Sequence, residues 1–135
     1  MGNYKIILLF ILLPLLIAMG SSPSYSPTEI PIPAKKFQAN FIDLMDVVTE
    51  CREVSIEGKT FLAGKRGNGT IAIPFENIRE ITLLSQGEKL NALVKLKDGH
   101  TIEVTLERNL SVYGRTKYGN FQIKLGELKK VTFIH

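Results

Sequence analysis

The chain has one cysteine, no tryptophan and two histidines in 135 residues. A single cysteine, Cys51, excludes an internal disulfide framework and any cysteine-built zinc site. In an exported protein it is either a buried thiol or half of an intermolecular bridge. Burial is the expectation, because a free thiol packs as a small hydrophobe. The histidines are His100, beside Asp98-Gly99, and His135, the last residue. Neither has a serine, cysteine or carboxylate at a recognisable motif spacing, so no catalytic residue and no cofactor is assigned. A Cys51/His100 pair rests on residue type alone. A small hydrolase or thiol enzyme is therefore the most remote of three function classes.

Metal signatures are also missing. Asp43, Asp46, Glu50, Glu53 and Glu57 follow one another closely. On strands they would point to opposite faces, whereas a calcium site needs its oxygens to converge. An acidic, solvated edge that discourages strand-to-strand aggregation accounts for them. Gly64-Lys65-Arg66-Gly67-Asn68-Gly69 lacks the Gly-Lys-Ser/Thr ending and the following helix of a phosphate-binding P-loop. No nucleic-acid motif is present, and the formal net charge of +4 is modest.

Long apolar runs are confined to the amino-terminal end. Ile6 to Met19 is almost wholly apolar, Lys5 precedes it, and Ala18-Met19-Gly20 offers small residues for cleavage before Ser21. Residues 1–20 are expected to be a signal peptide, and location to be secreted or periplasmic. The alternative, an uncleaved anchor, would call for about 18 or more apolar residues. No later segment is expected to span a membrane. Residues 21–36 carry Pro23, Pro27, Pro31 and Pro33 among serines and threonines, and read as a tether. Residues 37–135 remain for one domain, enough for a single hydrophobic core.

What is present in quantity is repetition. Glu53 to Ser85 returns fifty residues later as Glu103 to His135, with identical pairs at Gly64/Gly114, Gly69/Gly119, Ile73/Ile123 and Thr82/Thr132. Apolar and polar residues alternate in both copies. Ile71, Ile73 and Phe75 should face inward, as should Phe121, Ile123 and Leu125, and Ile102, Val104 and Leu106. Residues 41–48 have helical spacing, but the repeat sets 41–46 against the strand-like 92–97 and argues for a strand. Asp98-Gly99 predicts a hairpin with a type I′ turn. Gly64 and Gly114 lie inside strand-like runs, where glycine marks a bulge, a bend or a close backbone approach.

The expected strands are 41–46, 52–57, 60–66, 69–75 and 80–84, then 92–97, 101–107, 110–117, 119–125 and 130–134. Units 41–85 and 91–135, each of about five short strands, imply an all-β, pseudo-twofold closed barrel or sandwich. The equivalent loops both carry cations: Lys65 and Arg66 in one, Arg115 and Lys117 in the other. These four residues are the candidate anion- or partner-binding set. Charge is uneven, with five acids against two bases from Asn40 to Ala63, and six bases against one acid from Arg108 to His135. Head-to-tail association of acidic and basic faces is one consequence to expect. The implied function is a non-enzymatic secreted or periplasmic β-module that binds a protein or an anionic envelope ligand. A structural or assembly subunit of an envelope complex is the alternative.

Overall fold

The computed structural model describes residues 27–135. The signal peptide expected over 1–20, and the first part of the tether, lie outside the described residues. Ten strands run along the chain: β1 (Gln38–Asp43), β2 (Val48–Ile56), β3 (Phe61–Arg66), β4 (Gly69–Pro74), β5 (Ile78–Gln86), β6 (Lys89–Leu96), β7 (Thr101–Leu106), β8 (Ser111–Arg115), β9 (Asn120–Lys124) and β10 (Leu128–Ile134). Two single 3-10 turns, Phe75–Asn77 and Leu125–Glu127, follow β4 and β9. Among the described residues no helix is long and apolar enough to cross a membrane.

The all-β expectation holds, but the strands form neither two stacked sheets nor a closed barrel. They make one curled, half-barrel antiparallel sheet in the order β4-β3-β7-β6-β5-β10-β1-β2-β8-β9. The order has two ends, so β4 and β9 keep free edges. β5 and β10 lie side by side at its middle, with Val131 opposite Ile81. Two long-range seams complete it: β3 joins β7 through Lys65 and Thr105, and β2 joins β8 through Ser55–Tyr113 and Ile56–Val112.

Alternation explains the core. Along β6, Leu90, Ala92 and Val94 are buried while the residues between them are not. Val104 and Leu106 on β7, Ile81 and Leu83 on β5, and Val131 and Phe133 on β10 behave likewise. The 3-10 turns each deliver one fully buried side chain, Phe75 and Leu125, to the same core. Each such side chain contributes about 1.5–3 kcal/mol. A one-residue slip would turn a whole row to water, which pins every register.

Some boundaries differ from those read in the sequence. The first strand is Gln38–Asp43, not 41–46, because Ala39 and Phe41 are its buried pair. Residues 44–47 form the hairpin tip instead, where Met45 N–H and Val47 N–H both donate to Asp43 Oδ1. Asp98-Gly99 does turn a hairpin, but it is not a type I′ turn. Gly99 has φ 97° while Asp98 is absent from the positive-φ residues; its carboxylate accepts from the His100 backbone N–H instead. The two-residue turn with both centres at positive φ is Glu57-Gly58, at 53° and 81°.

Part of the proline-rich segment packs on the domain. Pro33 is buried, and Pro31 lies against Gly58. Lys35 pairs with Glu76 at 2.6 Å and Lys36 with Glu53 at 3.3 Å.

Candidate functional site

The two interior glycines locate the site. A Cβ on Gly64 would stand 2.5 Å from Val104 Cγ1 and 2.6 Å from the Thr105 carbonyl oxygen. One on Gly114 would stand 2.7 Å from Cys51 Cβ. Close approach of neighbouring strands, one of the three expected reasons, is therefore why glycine is there. At Gly114 it brings β8 tight against β2 and sets Cys51 in the wall between them.

Past Cys51, β2 stops following β8 regularly. Arg52 pairs with Arg115, but the next pair is Ser55 with Tyr113, so residues are looped out between them. Glu53 sits in that bulge in the left-handed region, with φ 53°. Left-handed backbone costs a non-glycine residue about 1–2 kcal/mol, so something must hold it. The Val54 N–H donates to the Phe37 carbonyl, and Val54 and Ser55 are buried. The Glu53 carboxylate lies between Arg115 Nε at 3.1 Å and Lys36 Nζ at 3.3 Å. The contact with Arg115 is an ion pair without hydrogen-bond geometry: Glu53 Oε2 and Arg115 Nε are both buried and have no hydrogen-bond partner.

Beside this bulge, β2 and the β8–β9 turn border a cleft of about 470 Å³. Arg52, Arg115 and Lys117 line it, together with Gln38, Val48, Thr49, Glu50, Cys51, Thr116 and Tyr118. Arg115 is half-buried; Arg52 and Lys117 are exposed. Among the described residues the Arg52 side chain has no ion pair or hydrogen bond. The Lys117 ammonium stands over the Tyr118 ring, 5.0 Å from its centroid. The turn is preformed: Thr116 Oγ1 accepts from the backbone N–H groups of Tyr118 and Gly119 and donates to the Gly119 carbonyl. Glu50 is the single acid on the lining, so three cations face one carboxylate.

The structure thus divides the four basic candidates. Arg115 and Lys117 border the cleft. Lys65 and Arg66 end β3 on the other flank of the sheet, where Lys65 donates to Thr70 Oγ1 at 3.4 Å and Arg66 to the Glu103 carbonyl at 3.2 Å. Arg52, a strand residue outside the four, joins the site. In the sequence it stands out because the repeat fails there: the other copy has the apolar Ile102.

The chain belongs to a family described as "Uncharacterised protein". Its family model matches residues 33–135, which takes in every strand and the whole cleft. No curated protein and no solved structure matches the chain.

Cys51 lines the cleft as a buried thiol. It is 1% exposed, and burial, reinforced by the Glu50 carboxylate, pushes its thiol up to about 12. The thiolate that does nucleophilic work is then negligible near neutrality. Among the described residues no contact joins it to His100, whose Nδ1 lies 3.1 Å from Asp98 Oδ1 on an exposed turn. Among the described residues no group of His, Cys, Asp and Glu could hold a metal ion. Among the described residues, the two carboxyl groups held below their usual range lie elsewhere: Glu76, through the hydrogen bond from Lys35, and Asp98, through the His100 backbone N–H.

Proposed function

We propose that the protein is a non-enzymatic β-module, secreted or periplasmic, that binds a partner through an anionic group seated in the β2–β8 cleft. The observation that carries this reading is the convergence of Arg52, Arg115 and Lys117 on one concave surface, with Arg52 unpaired among the described residues. Guanidinium and ammonium groups beside a preformed turn suit a phosphate, sulfate or carboxylate. The export part of the reading rests on the apolar stretch Ile6–Met19.

The same proposal takes the sheet as two related halves, β1–β5 and β6–β10. Exchanging each strand for its counterpart in the other half reverses the strand order and otherwise leaves it unchanged. The hairpin registers support it: Ala39 faces Cys51, and Ala92 faces Val104. Gly114 approaches Cys51 as Gly64 approaches Val104. On these contacts the counterpart of Val104 is Cys51, three residues earlier than the repeat in the sequence makes it. The first half then carries three extra residues between Arg52 and Glu57, a stretch that includes the bulge at Glu53 and Val54. The cleft lies beside the insertion and between the halves, with Gln38 and Val48–Arg52 from the first and Arg115–Tyr118 from the second.

Phosphate titration of the full chain, followed by amide shifts, tests the binding site. Arg52→Ala with Lys117→Ala should weaken phosphate binding at least about tenfold, a loss of roughly 1.4 kcal/mol, while Lys65→Ala with Arg66→Ala should not. Equal effects of the two pairs would refute the assignment to this cleft. The assembly-subunit alternative draws on the free edges of β4 and β9, which offer unpaired backbone groups to another strand.

A further inference from the structure

The cations are only part of what the cleft presents. Val48 is 61% exposed and Tyr118 87% exposed, and both line it. Beyond Val48 the apolar surface continues along the β1–β2 tip through Leu44, Met45 and Val47, all exposed. Asp46 at that tip is paired with Lys129 at 2.6 Å, which leaves the apolar side chains as the tip's unpartnered surface. An inorganic anion would satisfy Arg52 and Lys117 and leave Val48 and the Tyr118 ring in water. A purely apolar ligand would cover those side chains and leave the cations unanswered. Resting on the anion-binding reading, we propose that this cleft takes an amphiphilic anion: a charged head among Arg52, Arg115 and Lys117, and an apolar body along Val48 and Tyr118.

The supporting geometry is a single concave surface lined both by cations and by the exposed apolar side chains of Val48 and Tyr118. Lys117 bridges them, because it stands over the Tyr118 ring and still borders the cleft. Burying even two methylene groups of the body against these side chains amounts to about a tenfold gain, at roughly 0.8 kcal/mol for each.

Hexyl phosphate, inorganic phosphate and 1-hexanol serve as probes of the full chain, isotope-labelled and followed at the amides of Val48, Arg52, Lys117 and Tyr118. Hexyl phosphate should bind at least about tenfold more tightly than phosphate, and it alone should move Val48 and Tyr118 together with Arg52. Val48→Ser with Tyr118→Ser, both at exposed positions, should bring hexyl phosphate down to the affinity of phosphate. Equal affinities of hexyl phosphate and phosphate in the unaltered chain would overturn the amphiphile inference and leave anion binding standing. Hexanol binding as tightly as hexyl phosphate would overturn it as well. Absence of shifts at Arg52 and Lys117 with any anion would overturn both readings.

Discussion

Cys51 shows how much one neighbour decides. Its thiol faces Gly114, which has no side chain to compete for the space, and it is buried in the wall between β2 and β8. With the thiol raised to about 12 against an ordinary 9.0, the folded state keeps a proton that the unfolded chain gives up at lower pH. The contribution is constant below pH 9 and is lost as pH rises from about 9 towards 12, by roughly 1.4 kcal/mol per pH unit. Denaturant unfolding should therefore show a steeper alkaline loss of stability for the native chain than for Cys51→Ala. Parallel curves from pH 9 to 11 would contradict this. A thiol reagent at neutral pH should modify Cys51 only after denaturation.

At the scale of elements, the turns record where backbone geometry and sequence disagree. The Glu57-Gly58 turn requires positive φ at both centres, and Glu57 supplies it against its own preference, at 53°. Asparagine tolerates that region far better. Glu57→Asn is expected to raise stability by about 0.5–1 kcal/mol, seen as an increase in Tm by calorimetry; an unchanged or lower Tm would count against it. The link between β5 and β6 looked like a joint between copies in the sequence, yet it is a tight turn held from outside. Arg108, before β8, donates to the carbonyl oxygens of Gly87, Glu88 and Lys89 and to Ser85 Oγ. No local pattern announces that clamp, because its partners lie about twenty residues away.

On the scale of the molecule, the halves are interlocked. β3 of the first five strands pairs with β7 of the second, and β8 of the second with β2 of the first. The central β5–β10 pairing adds a third seam. No half can leave without opening all three, so urea unfolding should be one cooperative transition, coincident by far-ultraviolet circular dichroism and tyrosine fluorescence. Two separated transitions would show that the halves fold independently. The charge imbalance along the chain also resolves at this scale. Acids of the first half meet bases of the second within one molecule, as Asp46–Lys129, Glu53–Arg115 and Glu80–Lys130. Those charges are neutralised internally, which removes much of the reason to expect head-to-tail association.

The sequence by itself determined the all-β class, the alternation that buries Val104, Leu106 and Ile73, and the glycines that strand contact requires at 64 and 114. These follow from short-range rules, a period of two and the space a Cβ would occupy. The tertiary structure alone decided that the sheet is open and curled, that Arg115 and Lys117 belong with Arg52 rather than with Lys65 and Arg66, and that Glu53 occupies a bulge. Sequence similarity at a constant spacing aligned Glu53 with Glu103. In the folded sheet Gly114 packs against Cys51, and the β2–β8 register shifts between Arg52 and Ser55, which puts Glu53 in the bulge beside the cleft.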